Sequence, residues 1–380
     1  MVRWEEGRVR RVLEEWPGAL RLEVEVGSEA VPALAYPDLV GQPAAGDRVL
    51  LNTNALRRRL GTGGLALVVA VPDHLPAPPE VAGHLVKARY TPLQTMVAAV
   101  DDPERPEHEV MQAASDLAGM PVITCDLHSS LPAVVAGIRL EDPRARVVYV
   151  HTDGAALPVA FSRTVAALRE HDLVQASISV GQSFGGDLEA VSLHSGLLAA
   201  RHVLDADLVV VSQGPGNLGS DTPWGFSGVQ VADALNAAGV LGGTPVGALR
   251  VSSADARPRH RGLSHHSMTA YGRATLVPTL FAVPWLPPGT DSDFHASVQE
   301  QLRSSILFPG QDRGVRHQLS EVSPDGVREA LEELPVRLST MGRSLAEDFE
   351  AFLYAALAGR AAQRSRTAAT AGAGDGDRAD

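Results

Sequence analysis

The stretch 207–228, DLVVVSQGPGNLGSDTPWGFSG, decides the fold that we expect. Its apolar, β-branched run 208–211 is typical of a strand buried on both faces of a parallel sheet. The run leads into Gly214, Gly216 and Gly219, whose spacing permits a tight turn and a close approach of the backbone to a ligand. A helical pattern follows. A strand, a glycine turn and a helix start predict an anion site, because free N–H groups and the helix dipole point at the ligand. A plain tight connection would account for the same turn.

Apolar β-branched runs alternate with amphipathic segments from about Val86 onward, which predicts an α/β domain with a mainly parallel sheet. Strands are predicted at 121–125, 146–151, 175–180, 207–212 and 245–251. Helices are predicted at 107–118, 130–138, 157–170, 187–203 and 226–240. We therefore expect a doubly wound α/β fold with right-handed crossovers, preceded by a small N-terminal β-barrel-like domain.

The domain boundaries follow from changes in composition. Residues 1–75 are expected to form the small β-rich domain, because short strand-like runs there are separated by glycine and proline turns. The proline-rich segment PDHLPAPP at 72–79 predicts a linker. We expect the α/β domain with its C-terminal helices at 86–362, and a disordered tail rich in small and polar residues at 363–380.

Composition narrows the class of protein. The chain of 380 residues is 44% apolar and 21% charged, which is ordinary for a soluble globular protein. It contains no apolar run of the roughly 18–20 residues that span a membrane, and no signal-peptide pattern. The single cysteine, Cys125, fits a reducing cytoplasm and excludes an internal disulfide. A net charge of −12 argues against nucleic acid as a partner.

Polar residues follow each predicted strand where it ends, and doubly wound sheets bind ligands beyond these ends. Two pairs of carboxylate and imidazole, spaced by two residues, suit zinc, manganese or iron. The predicted metal ligands are Asp126, His128, His151 and Asp153. Alternatively, Asp126 caps a helix that starts near Ser129, and His151 is a hydrogen-bonded core residue. No established metal-binding signature is present, so the cofactor stays unknown, with a divalent metal as one candidate.

Arginines crowd the segment that follows the last of these strands. Guanidinium forks suit phosphate or carboxylate, so a small anionic ligand is predicted. The residues expected to bind it are Gly214, Gly216, Gly219, Arg257, Arg259, Arg261 and Ser129. Alternatively, Asp255 and the arginines lock a long loop through ion pairs. A dinucleotide fingerprint is incomplete, because Arg250 stands near the position where an acidic residue is expected.

Two adjacent histidines, His265 and His266, follow Ser264, which is a fair helix N-cap. Adjacent helical residues point about 100° apart, so we expect one imidazole to face the cleft and the other to face the core or the Ser264 turn. Imidazole titrates near neutral pH and suits a general base or acid. The predicted catalytic residues are His265, His266 and Asp255.

Four stretches carry a resemblance to a known family: CDLHSSLPAVVAGIR, SVGQSFGGDLEAVSLHSGL, SQGPGNLGSDTPWGFSG and RHRGLSHHSMTA. The chain resembles, from residue 1 to about 360, an uncharacterised bacterial family classed as a domain of unknown function. The resemblance implies no activity, cofactor or catalytic residue.

Two functions stay open. One is a small-molecule enzyme that acts on a phosphorylated or otherwise anionic metabolite, with nucleotides among the candidates. The other is a non-catalytic ligand-sensing or assembly module whose N-terminal β domain meets a partner. Homo-oligomerisation is also left open, and no membrane partner is expected.

Overall fold

The structure is a computed structural model, and it describes residues 2–60, 63–77, 83–287, 289–290 and 293–375. Within these residues, five strands close a small N-terminal barrel and eight strands form a larger sheet flanked by helices. Neighbouring strands of the larger sheet run parallel. Both parts of the predicted fold class are confirmed.

The barrel has the strand order β1-β2-β3-β5-β4. Its elements are β1 (Trp4–Trp16), β2 (Ala19–Val26), β3 (Glu29–Ala35), α1 (Pro37–Val40), β4 (Arg48–Asn52), α2 (Asn54–Arg57) and β5 (Ala66–Ala70). Alternate side chains of a strand point to one face, and Leu20, Leu22 and Val24 of β2 are accordingly buried in the barrel core.

The parallel sheet has the order β11-β10-β9-β12-β8-β13-β16-β17. Its strands are β8 (Pro121–Thr124), β9 (Val147–Thr152), β10 (Ala176–Ser179), β11 (Leu188–Glu189), β12 (Leu208–Gln213), β13 (Thr244–Gly247), β16 (Leu280–Pro284) and β17 (Gln318–Val322). Short antiparallel pairs lie outside it: β6 (Leu85–Lys87) with β7 (Thr95–Val97), β14 (Val251–Ser252) with β15 (Gly262–Leu263), and β18 (Ser339–Thr340) with β19 (Arg343–Ser344). Every residue of β12 is buried, as its apolar run predicts.

The helices of this part are α3 (His108–Ala113), α4 (Leu131–Glu141), α5 (Arg163–Glu170), α6 (Leu193–His202), α7 (Val231–Val240), α8 (His265–Thr269), α9 (Asp293–Leu302), α10 (Phe308–Asp312), α11 (Val327–Glu332) and α12 (Phe349–Asp375). Two π-helical turns, Ala270–Ala274 and Arg303–Leu307, follow α8 and α9. None of the helices within the described residues is both long enough and apolar enough to cross a bilayer.

Helices α4 and α7 cover opposite faces of the sheet. Side chains of α4 pack in one core cluster with Tyr149 and Val210, whereas side chains of α7 pack in another with Val209 and Val211. The chain therefore leaves β8 and β12, which are neighbours, toward opposite faces. The crevice between their carboxyl ends is the topological switch point, where open α/β sheets bind ligands.

Several elements differ from the expected ones. Residues 188–189 pair with β10 as strand β11, so the helix predicted at 187–203 begins only at Leu193. Strand β13 ends at Gly247, because the chain then enters the antiparallel pair β14–β15. The glycine turn does not open directly into a helix. An excursion closed by a bridge between Gly219 and Phe226 comes first, and α7 begins at Val231.

The last element of the described residues is the long helix α12, which passes without a break through Gln363, where the tail is expected to begin. Residues 376–380 lie outside the described residues, as do 78–79 of the expected linker. The domain boundaries themselves stay predictions.

Candidate functional site

Asp126 lies at the switch point, directly after β8 and almost fully buried. Its backbone oxygen accepts hydrogen bonds from Gln213 Nε2 at 3.1 Å and from Asn217 Nδ2 at 3.4 Å. A Cβ added at Gly228 would lie 2.9 Å from the Asp126 Cβ. The strand end, the glycine turn and the entry to α7 therefore converge on this aspartate.

The carboxylate of Asp126 faces two basic groups. Its Oδ2 lies 3.4 Å from Arg250 Nη1 and 3.6 Å from His266 Nδ1. Burial raises the pKa of Asp126, but the contact with His266 and the charge of Arg250 outweigh it, and the net pKa is lowered. Asp126 is therefore ionised at neutral pH. The Arg250 backbone N–H donates to Ser267 Oγ at 3.0 Å, which ties the arginine backbone to α8.

Three imidazoles cluster beside this pair. Ser264 caps α8 as predicted, since its Oγ accepts from the His266 backbone N–H at 3.2 Å, and the same oxygen lies 2.8 Å from His260 Nδ1. The ring centroids of His265 and His266 are 4.4 Å apart, and the centroid of His260 lies 4.8 Å from that of His265 and 5.0 Å from that of His266. The ring of Phe226 stacks on that of His266 with their centroids 3.8 Å apart. We call His260, His265 and His266 the histidine cluster.

The histidine cluster can take up a proton or a metal ion. Burial, assisted by the positive charge of Arg250 and Arg257, lowers the pKa of His260 to about 3. Burial and the neighbouring His266 lower the pKa of His265 to about 4. Both rings are therefore neutral at neutral pH, and each keeps a lone pair. The Nε2 atom of His265 is buried and has no hydrogen-bond partner among the described residues.

Asp255, a predicted catalytic residue, is buried in a network of ion pairs. Its carboxylate accepts from Arg257 Nε at 2.9 Å and from Arg343 Nη2 at 3.2 Å. Arg343 Nε also donates to the fully buried Asp348 at 2.8 Å. The hydrogen bond from Arg257 holds the pKa of Asp255 well below its usual range. These contacts favour the interpretation that Asp255 and Arg257 lock the loop.

The other predicted anion ligands differ in what they contact. Arg259 pairs with Asp221 at 2.7 Å, Arg261 is exposed, and Ser129 Oγ donates to Thr340 Oγ1 at 3.0 Å.

Among the predicted glycines, a Cβ added at Gly214 would lie 2.7 Å from His151 Cε1, so this glycine is needed for packing. Gly219 lies in the bridge that closes the excursion. Gly216 has φ +105°, and an added Cβ would meet no described atom within 4 Å. Gly216 therefore offers open backbone, and at Gly219 an added Cβ would meet only the Gly225 carbonyl oxygen at 3.9 Å.

The predicted metal ligands His128 and His151 are core residues. His128 Nδ1 lies 3.2 Å from a backbone oxygen of β12, and its Nε2 lies 2.6 Å from Ser162 Oγ. His151 Nδ1 lies 3.1 Å from the Tyr149 hydroxyl, and its Nε2 lies 2.8 Å from the Ala156 carbonyl oxygen. Burial lowers the pKa of His128 to about 3 and that of His151 to about 4. Both rings are engaged at both nitrogens, which is the alternative that the sequence left open for His151.

The structure does not bring the four predicted metal ligands together. Asp126 contacts Arg250 and His266, and Asp153 accepts a hydrogen bond from the Gln182 backbone N–H at 2.9 Å on the far side of β12. Among the residues that the structure describes, His260, His265 and His266 have ligand atoms close enough together, within 4.8 Å of one another, to hold a metal ion.

A family model described as "Protein of unknown function (DUF3866)" matches residues 32–359. The chain belongs to this family. The match runs from within the barrel to α12 and includes the whole parallel sheet and the histidine cluster. Searches among curated proteins and among solved structures find no match. Membership confirms the predicted family resemblance, and it assigns the DUF3866 protein no activity.

Sequence reasoning missed His260 as a member of the site. Its only signal is the motif RHRGLSHH, in which one histidine precedes a histidine pair by five positions. The pair β14–β15 folds this segment back so that the three rings meet. Arg343 and Asp348 were also missed, because they come from the C-terminal part of the chain.

Proposed function

We propose that this DUF3866 protein binds a small anionic molecule, phosphorylated or carboxylated, in the crevice between β8 and β12 and acts on it as an enzyme. The observation that carries the proposal is the convergence of Asp126, Arg250 and the histidine cluster at the switch point of the sheet. Buried charges beside neutral imidazoles, at the place where this fold class binds ligands, are typical of a functional site.

The charge around the crevice supports an anion. Arg250, Arg257, Arg259 and Arg261 lie within twelve positions in a chain of net charge −12. The Arg259–Asp221 pair is exposed, with side chains 43% and 70% accessible. Such exposed pairs contribute only about 0–1 kcal/mol, so an anionic ligand can replace Asp221 at little cost. Gly216 precedes Asn217, whose side chain donates to the Asp126 backbone oxygen, so its open backbone supplies a surface for close approach near Asp126.

The chemistry follows from the histidines. His265 Nε2 is buried and has no hydrogen-bond partner among the described residues, so rotation of the ring would allow it to contact a bound molecule. Phe226 and Asp126 hold His266 from two sides. In the protein without a bound metal, we expect alanine at His265 to remove ligand binding or turnover while the fold survives, and alanine at His266 mainly to lower stability.

Thermal-shift and calorimetric titrations test the proposal with phosphate, pyrophosphate, mononucleotides, and di- and tricarboxylates. An active anion should stabilise the protein, and Arg259→Gln should weaken that binding about tenfold or more, as loss of a charge-assisted contact does. His171→Ala, at an exposed histidine remote from the crevice, is the control.

Turnover of the bound molecule is then followed by mass spectrometry. Binding without turnover would favour the ligand-sensing alternative. A panel without any binder, or Arg259→Gln binding like the wild type, would contradict the anion site.

The same proposal places the protein in the cytoplasm, with a small metabolite rather than a membrane or nucleic acid as its partner, and it allows a homo-oligomer. The ion pairs of Arg57 with Glu5 and Glu29 support the exclusion of nucleic acid, because they occupy a basic residue of the barrel that could otherwise contact phosphates.

A further inference from the structure

The nitrogen atoms of the histidine cluster are slightly farther apart than the ligands of a metal centre. One nitrogen of each of the three rings lies within 4.8 Å of the others. In a tetrahedral zinc site with Zn–N bonds of 2.0–2.1 Å, the nitrogens are about 3.3 Å apart. His265 and His266 are only partly buried, so rotation of their side chains can supply the approach.

We infer that His260, His265 and His266 bind a first-row divalent transition metal, for which zinc is the best match. Three imidazoles with neither thiolate nor carboxylate among them select this class over magnesium or calcium, which prefer oxygen ligands. Three protein ligands leave the fourth position open, as in catalytic rather than structural zinc sites. The inference deepens the proposed function by supplying a cofactor, but metal binding can be measured without any substrate.

Two of the rings keep one nitrogen for ligation. The Ser264 hydroxyl engages Nδ1 of His260 at 2.8 Å and so leaves Nε2 of that ring as the nitrogen for a metal ion. His265 presents a buried Nε2 that has no hydrogen-bond partner among the described residues. A metal ion would satisfy this nitrogen.

The third ring needs a change of partner. Arg250 Nη1 lies 3.0 Å from His266 Nδ1. A guanidinium can only donate, so while Arg250 bonds Nδ1 the proton of the neutral ring is on Nε2, whereas Nε2 is free when Nδ1 donates to Asp126 instead. Ligation through Nε2 requires the proton to move to Nδ1, which can then donate to Asp126, 3.6 Å away. A carboxylate behind a ligating histidine is the usual second partner in zinc sites.

In this geometry Arg250 competes with metal binding at His266, whereas Asp126 favours metal binding. Removing Arg250 should leave zinc affinity unchanged or increase it. Removing the carboxylate should decrease it. Opposite effects of two residues that contact each other would not arise if the histidines only packed against Phe226.

The test uses the tag-free full chain, stripped of metal with a chelator and titrated with zinc against a chromophoric competitor. One zinc ion per chain is expected. The cobalt form should show the intense visible bands of a four-coordinate site. Asp126→Asn should weaken zinc binding about 10–100-fold, the usual cost of losing such a partner. His265→Ala should weaken it at least as much, Arg250→Met should not weaken it, and the control His171→Ala should bind like the wild type.

The inference is overturned if the wild type binds no stoichiometric zinc, or if His265→Ala binds it unchanged. If His265→Ala fails to fold, zinc protection of the wild type from diethyl pyrocarbonate replaces it. Protection confined to the peptide that carries 260–266 is expected, and protection elsewhere overturns the inference. Anion binding by the metal-free protein is scored separately, so loss of the metal site and failure of the proposed function give different results.

Discussion

Gly214 and Gly216 stand in one turn but need glycine for different reasons. At Gly214 an added methyl group would lie 2.6 Å from the Ala156 carbonyl oxygen and 2.7 Å from the His151 ring. At Gly216 the space is open and the backbone, at φ +105°, is unfavourable for other residues. We expect Gly214→Ala to lower the free energy of unfolding by about 2–3 kcal/mol through overpacking, and Gly216→Ala by only about 1–2 kcal/mol through backbone strain.

Urea denaturation of both variants measures this difference. The Gly216 variant should also lose anion affinity, whereas its fold survives. Equal stability losses, or a larger loss at Gly216, would show that His151 and Ala156 move to accommodate a methyl group at Gly214. The proposed difference between the two glycines would then be wrong.

The buried histidines predict a pH dependence of stability. Burial holds the pKa of His151 at about 4, against a usual value of 6.5. Below about pH 6.5 the unfolded chain binds a proton that the folded chain excludes. The free energy of unfolding should therefore fall as the pH is lowered from 6.5 toward 4, by at most about 1.4 kcal/mol per pH unit for each such histidine.

Urea titrations at pH 7, 6 and 5 in the presence of EDTA measure this slope. His151→Gln should be less stable at pH 7 and should decline less steeply, because one proton fewer is taken up on unfolding. The exposed His171, changed to asparagine, serves as the control. A slope unaltered in His151→Gln would mean that His151 does not titrate on unfolding.

Individual site residues were predictable where local chemistry decides their role. Ser264 as the cap of α8 is one example, because a cap depends on the next few residues only. The partners of Asp126 were not predictable. Arg250 and His266 reach it from two segments more than one hundred residues away, and nothing local in the motif CDLHSS indicates them.

At the scale of elements, α4 and α12 cross with their backbones in close approach. A Cβ added at Gly137 would overlap the backbone of Ala356, and one added at Gly359 would overlap the backbone of Val134. Replacing glycine by alanine inside a helix ordinarily stabilises a protein by about 0.5–1 kcal/mol. Here we expect the opposite sign, with a loss of about 1–3 kcal/mol from overpacking at each glycine.

Thermal and urea unfolding of Gly137→Ala and Gly359→Ala test the crossing. Gly314→Ala, where φ is +80° and an added Cβ meets no described atom within 4 Å, shows for comparison the cost of backbone strain without a clash. A stabilised Gly137→Ala variant would show that the two helices can move apart freely.

Elements with a continuous buried run were predicted closely, and elements made by pairing were not. Strands β8, β9 and β12 lie within one or two residues of their predicted bounds, because each is a β-branched apolar run bounded by polar residues. The two-residue strand β11 was taken for helix. Its extended form depends on β10 and on Asp187, which accepts from the Ser177 backbone N–H at 2.7 Å. The pattern of residues 187–203 contains no signal for that contact.

At the scale of the whole molecule, the tip of the first barrel hairpin rests on the α/β domain. Trp16 Nε1 donates to the Ala160 carbonyl oxygen at 2.7 Å, and the guanidinium of Arg163 lies 5.5 Å from the centre of the Trp16 ring. Arg163 also pairs with Glu14. The sequence predicts both units but not this contact, because it joins residues 144 positions apart and uses a backbone oxygen.

The contact links the barrel to the core beneath the crevice. Ala160 belongs to the short turn Val159–Phe161, and the next residue, Ser162, holds Nε2 of His128. His128 in turn lies 3.2 Å from a backbone oxygen of β12, the strand that leads into the glycine turn. A change at the barrel tip is therefore expected to reach the switch point through the backbone of this turn and the buried hydrogen bonds of His128.

We accordingly predict that Trp16→Leu loosens the turn ahead of α5. The lost hydrogen bond is worth about 1 kcal/mol and the lost cation–π contact about 0.5–1 kcal/mol. Hydrogen exchange followed by mass spectrometry should show faster exchange in peptides covering 14–20 and 158–165, with α4 and α12 still protected. Trp4→Leu, at a tryptophan of the same barrel that is 49% exposed, should leave both peptides unchanged. Unchanged exchange in Trp16→Leu would mean that the barrel is held by other contacts, and that the route from the barrel to His128 carries no coupling.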